Sequence, residues 1–137
     1  MSPLLMDTNV YTAYKRGDAG VLAVLQQATE LAISPVVLGE LYGGFALGSR
    51  NAANRQELAA FLALPQVTVL PIDADTALQY ATVYADLRRA GRPIPTNDLW
   101  IAASAMQHGC DLFSFDAHFQ AISGLRAGSS LADFQAP

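Results

Sequence analysis

LLMDTNV, residues 4–10, joins the apolar run Leu4-Leu5-Met6 directly to Asp7, Thr8 and Asn9. An apolar triplet that ends in a carboxylate reads as a short buried strand, with the acid at the point where the chain turns into a helix. Further short apolar stretches follow at Leu31 to Ile33, Val67 to Leu70 and Asp111 to Phe115, with another expected near Leu125. Helical patterns separate them. They run from about Val10 to Lys15, Ala19 to Thr29, Pro35 towards Leu47, Asn51 to Ala63, Asp73 or Asp75 to Ala90, and Thr96 to His108. Ser34-Pro35 is a cap followed by proline at the first helical position. Thr96 is read as the cap of its helix, and Gly109 as its stop. Strands that alternate with helices predict an α/β fold, a parallel sheet with helices on both faces. Strands this short and apolar suit a sheet covered on both sides.

The 137 residues fit one domain, residues 1–137, with no repeat or linker. Cys110 is the single cysteine, which rules out an internal disulfide and suits the reducing cytoplasm. No stretch approaches the ~18 apolar residues of a membrane span. The start has no basic segment ahead of its apolar run, so no signal peptide and no membrane partner are expected. The net charge of −4 argues against a broadly basic nucleic-acid binder. The twelve acids include Asp7, Glu40, Asp98 and Asp116. If those four hold a metal, the remaining acids and the eight lysines and arginines balance, and a local basic rim is compatible with the count.

In a parallel sheet the carboxyl ends of all strands share one edge, where ligands bind. Asp7 and Asp116 follow the first and fourth strands. Asp98 lies in the first turn of the helix that leads back to the fourth strand. Glu40 is six residues past Ser34, roughly 9 Å down its helix at ~1.5 Å per residue. Four acids distant in sequence thus converge on one rim. Close carboxylates repel, so such a cluster either raises its own pKa values or holds a cation. An all-oxygen set suits Mg²⁺ or Mn²⁺. The chemistry expected is metal-assisted phosphodiester hydrolysis, with helix N-termini at the same edge to attract phosphate. Each acid also has an ordinary reading: Asp7 and Asp116 as caps or turns, Asp98 as a dipole partner. Glu40 fits that reading least, because Val36, Val37, Leu38 and Leu41 around it suggest burial.

LLMDTNV, SPVVLGELYGG (34–44), PTNDLWIAASAMQHG (95–109) and LFSFDAHF (112–119) resemble, in order and spacing, the four acidic motifs of PIN-domain ribonucleases, above all the VapC-type toxins of toxin–antitoxin pairs. The resemblance covers Leu4 to Gly124. It implies a three-layer α/β/α fold with strand order 3-2-1-4-5 and an endoribonuclease that requires Mg²⁺ or Mn²⁺ and cuts tRNA or rRNA to arrest translation. It also implies a homodimer and a cognate VapB-type antitoxin that blocks the site and joins the toxin on promoter DNA. Asp7, Glu40, Asp98 and Asp116 become the metal ligands or their close support, with Thr8, Asn9 and Ser114 as polar helpers. Ser114-Phe115-Asp116 departs from the threonine often found before the last acid, though it keeps a hydroxyl.

Arg88, Arg89 and Arg92 precede the loop to Asp98 and are candidates for RNA phosphates, or else complement a helix C-terminus. Lys15 and Arg16 share that ambiguity. Asn97 is read as a helix-start residue, His108 as a cap partner and His118 as a surface residue. Trp100 is expected in the core. Tyr11, Tyr14, Tyr42 and Phe45 are core, dimer-face or antitoxin-groove candidates. Two alternatives stand beside the nuclease. A haloacid-dehalogenase-like phosphatase also begins with a strand ending in Asp, but wants a second acid where this chain has Asn9. A catalytically silent domain with the same fold would have no use for four acids.

Overall fold

The computed structural model describes residues 1–135. The domain expected over 1–137 also takes in Ala136 and Pro137, which lie outside the described residues. The strands are β1 (Leu4–Met6), β2 (Leu31–Ile33), β3 (Val67–Val69), β4 (Asp111–Phe113) and β5 (Ala127–Gly128). They form one parallel sheet in the order β3-β2-β1-β4-β5. The helices are α1 (Thr8–Lys15), α2 (Ala19–Gln27), α3 (Pro35–Leu47), α4 (Asn51–Leu62), α5 (Ala74–Arg89), α6 (Thr96–Gln107) and α7 (Leu131–Phe134), with a 3-10 turn at Ala117–Ala121.

β1 is the centre of the sheet, pairing Leu4 with Leu31 on one side and with Asp111 on the other. Side chains alternate between faces along a strand. Yet Leu4, Leu5 and Met6 are all fully buried, so helices cover both faces. The apolar triplet therefore works as the core's spine. The edge strand β3 departs from the expectation of wholly covered strands. Only its Val67 is buried, and Thr68 and Val69 face solvent, because β3 has a neighbour on one side only.

Several boundaries shift for local reasons. α1 begins at Thr8 rather than Val10, because the Asp7 carboxylate caps it directly. Asp73, not Asp75, caps α5, accepting from the N–H groups of Asp75 and Thr76. Thr96 is not a cap. Pro95 occupies the cap position, and α6 starts with no side-chain hydrogen bond at its cap. β3 ends at Val69 and β4 at Phe113, one and two residues earlier than expected.

α5 and α6 pack against each other as an antiparallel pair. Gln107 at the end of α6 donates to Asp73 at 2.9 Å and accepts from the Thr76 hydroxyl, which pins the two helices at the edge away from the strand ends. At the other end Gly91 takes φ +69°, a left-handed conformation that glycine adopts without penalty. The N–H groups of Gly91 and Arg92 return to the carbonyls of Arg88 and Leu87, closing α5 so that the chain can enter α6. The C-terminus of α5 and the start of α6 thus lie together at the edge where β1 and β4 end.

Candidate metal centre

Asp7 is 6% exposed. Its Oδ1 accepts from the Thr8 N–H at 2.8 Å, and its Oδ2 accepts from the Ser114 hydroxyl at 2.6 Å. Asp7 is therefore a helix cap and a site residue at once, and the two readings of LLMDTNV do not compete. Burial raises its pKa above the ordinary carboxylate value. The Ser114 and Thr8 hydrogen bonds oppose that rise, and the charges of Asp98 and Glu40 add to it. Ser114, just past β4 and 4% exposed, also accepts from the Asp116 N–H at 3.0 Å. One hydroxyl thus ties the acid of β1 to the acid that follows β4.

Asp98, in the first turn of α6, is also shifted upwards. Burial is the main cause, the charges of Asp116 and Glu40 contribute, and the hydrogen bond from His118 works against them. Asp7 senses Asp98 and Glu40, while Asp98 senses Asp116 and Glu40, so the four acids lie within mutual electrostatic reach. The convergence expected from sequence is present.

One expectation needs correction. Glu40 is exposed rather than buried, because it lies on the solvent side of α3. It still reaches the rim, where its Oε1 accepts from the Thr8 hydroxyl at 2.7 Å and its Oε2 from the Asn97 amide at 3.5 Å. Asn97 therefore has a second-acid contact beyond its place at the helix start. His118 lies at the surface, as read, but it also reaches the acids. Its Nδ1 sits 3.2 Å from Asp98 Oδ2 and 3.1 Å from Asp116 Oδ1. One potential ligand atom from each of Asp98, Asp116 and His118 lies within 4.8 Å of the other two. The donor set is thus not purely oxygen. The 3-10 turn explains the miss: the Asp116 carboxylate accepts from the His118 N–H at 2.9 Å, folding the imidazole back over the acids. The Asp-Ala-His spacing was the only signal in the sequence.

The helper residues divide their work. Thr8 holds Glu40, Ser114 holds Asp7, and the Asn9 side-chain oxygen accepts from the Phe115 N–H at 3.2 Å. Phe115, the unusual residue of the fourth motif, is 45% exposed and leaves the hydroxyl–carboxylate contact intact. Arg88, Arg89 and Arg92 stand at the C-terminal end of α5. Among the described residues none of them pairs with the four acids. Arg88 donates to the Tyr84 hydroxyl at 3.1 Å, and Arg89 pairs with Asp86 at 3.9 Å in solvent.

The donor chemistry fits a divalent cation. Burial and mutual repulsion disfavour the charged forms of Asp7 and Asp98, and a cation relieves both penalties. Asp7, Asp98 and Asp116, with Glu40 and His118 at the margin, are the groups available to hold it.

Known proteins place this chain in a family. Residues 4–125 match the PIN domain model. Ribonuclease VapC5 of Mycobacterium tuberculosis is 30% identical over 120 residues, covering 88% of this chain and 87% of its own. Ribonuclease VapC1 of Rickettsia felis is 31% identical over 125 residues, 89% of this chain and 92% of its own. Among solved structures, VapBC2 of Rickettsia felis bound to a promoter DNA fragment superposes with a TM-score of 0.84 at 23% identity, covering 93% of this chain and 98% of that one. VapBC-5 of Mycobacterium tuberculosis gives 0.71 at 27% identity over 95% of this chain and 98% of that one. These matches leave no room for the phosphatase alternative, which the amide at Asn9 already weakened. Among the described residues no helix is long and apolar enough to cross a membrane. The chain belongs to the PIN-domain family and, within it, to the VapC ribonucleases.

Proposed function

We propose that the protein is an endoribonuclease dependent on Mg²⁺ or Mn²⁺, which hydrolyses phosphodiester bonds of tRNA or rRNA and so arrests translation. The observation that carries this reading is the convergence of Asp7, Glu40, Asp98 and Asp116 on one rim, with His118 bridging Asp98 and Asp116. Four acids in mutual repulsion serve no purpose in a silent domain. Asp7, Asp98 and Asp116 would hold the ion, with Glu40 and His118 completing or orienting the set. When bound, the ion supplies a polarised water and compensates the charge of the phosphodiester transition state. Ser114 opposes the effect of burial on Asp7 and aims it at the rim. Thr8 and Asn97 orient Glu40, and Asn9 fixes the turn that presents Asp116. The uncapped first turn of α6 offers N–H donors to phosphate at the same edge.

A cognate VapB-type antitoxin is the expected partner, since the solved relatives are VapBC complexes. The groove between α1, α3 and α4 suits it. Phe45 and Tyr11 lie in its lining beside Lys15, Arg16 and Arg50, and Leu47 nearby is 93% exposed. Promoter DNA would be bound through the joint complex, in keeping with the acidic chain. A homodimer is proposed as the assembled form.

The test is cleavage by the purified chain, free of antitoxin, of total tRNA and rRNA with Mg²⁺, Mn²⁺ or excess chelator, with Asp98→Asn in parallel. Discrete cuts that need metal and vanish in Asp98→Asn are expected. No cutting in any metal by a folded parent chain overturns the reading.

A further inference from the structure

A cavity of about 250 Å³ lies between the C-terminal half of α5 and the first turn of α6. Its lining includes Tyr84, Arg88, Pro93, Ile94, Thr96 and Leu99. Apolar and aromatic walls with a few polar groups are the make-up of a site for a small planar ligand. Tyr80, also at the cavity, sits 4.4 Å from the Trp100 ring at 31° and 6.1 Å from the Tyr84 ring at 12°. Trp100 is therefore half-buried in a ladder of rings rather than in the core. The ladder ends in solvent at Tyr84, which is 42% exposed, with the Arg88 guanidinium 5.3 Å from its ring centre. Thr96 and Leu99 flank Asp98 in the same helical turn, so the cavity and the acid cluster share that turn.

We infer that this cavity takes one unpaired nucleobase of the RNA, stacked on Tyr84 in the place where the Arg88 guanidinium now lies over the ring, with Arg88 turned to the backbone phosphate. The inference rests on the ribonuclease reading and names a substrate subsite for it. Aromatic rings accept any base through its flat face, and an arginine beside the ring adds cation–π attraction and a phosphate partner. The uncapped N–H groups at the start of α6, beside Thr96, are free to meet phosphate or the edge of a base. A contact between two copies of the chain would need neither the guanidinium over the ring nor these open donors.

Trp100 is the chain's single tryptophan and sits in the ladder, so its fluorescence reports on the cavity. The full chain, in chelator, is titrated with an uncleavable 2′-O-methyl hexanucleotide and with the same backbone made abasic. Saturable quenching by the base-bearing probe is expected, with Tyr84→Ala weakening its binding roughly fivefold to a hundredfold and Tyr84→Phe staying within about threefold of the parent. The abasic probe should bind the parent as weakly as the intact probe binds Tyr84→Ala. Equal binding of the two probes, or an unchanged Kd in Tyr84→Ala, overturns the inference. A fall in oligomeric mass in Tyr84→Ala with unchanged Kd also overturns it and gives the face to a second copy. Metal-dependent RNA cleavage with the same KM in parent and Tyr84→Ala removes the subsite but leaves the nuclease standing. No cleavage by the parent in any metal removes the nuclease reading, and this inference with it.

Discussion

Replacing Ser114 by Ala removes a single oxygen that has two partners. The hydroxyl donates to a buried Asp7 oxygen at 2.6 Å and accepts from the Asp116 N–H at 3.0 Å. A hydrogen bond to a charged group contributes about 1.5–3 kcal/mol, and its loss here leaves a carboxylate oxygen buried without a donor. The Asp116 N–H lies nearer to water, which limits that second loss to about 0.5–1 kcal/mol. Together, Ser114→Ala should cost about 2–4 kcal/mol at pH 7.5, measured by urea unfolding in chelator. The pH dependence has a definite sign. Burial holds Asp7 above its ordinary value of 3.8, and the Ser114 hydroxyl pulls it back down. Without the hydroxyl, folded Asp7 takes up a proton at still higher pH. The deficit is thus full where Asp7 is ionised in the variant as well, above the variant's folded-state pKa, and it fades as pH falls from there through the parent's, which lies above 3.8. A loss below about 0.5 kcal/mol at pH 7.5, or one that grows on acidification, would refute the role given to Ser114.

Asp98→Asn removes a charge that burial, Asp116 and Glu40 all oppose, so the metal-free variant should unfold at no lower urea concentration than the parent. Its cleavage rate should still fall by more than about a hundredfold, beyond the loss typical of an outer partner. Saturating Mn²⁺ should stabilise the parent by about 2.7 kcal/mol at a hundred times its Kd, seen as a rise in Tm by calorimetry, and should leave Asp98→Asn unmoved. His118→Ala should cut activity roughly 10- to 100-fold. It should also shift the acid limb of the pH–rate profile to higher pH, because the His118 hydrogen bond lowers Asp98 and its loss lets Asp98 hold a proton longer. An unmoved limb would remove His118 from the site.

The sheet was legible in the sequence because its apolar triplets are bounded by residues with unambiguous local chemistry. Ser34-Pro35 opens α3 as read, and Asp7 ends β1 as read. Strand order was not a product of those patterns; it came with the resemblance. Three acids were legible because each stands at a strand end or a helix start. Glu40 was found for a partly mistaken reason, since an apolar sequence around it suggested burial and the helix turned it outward. Thr96 looked like a cap by residue type, but Pro95 already has the extended backbone that the cap position needs. His118 escaped because its position depends on a tight turn, and a 3-10 turn of five residues leaves no periodicity to read.

The hydroxyl that links Ser114 to Asp7 spans 107 residues of sequence. During synthesis Asp7 precedes Ser114 by that whole length, and its Oδ2 has no donor until β4 and the residue after it exist. Every product that stops before β4 lacks Asp116 and leaves one side of β1 without its partner strand. In the ribonuclease reading such fragments lack part of the acid set and should not cleave RNA. In that reading, the hazard begins only once Asp116 has been made.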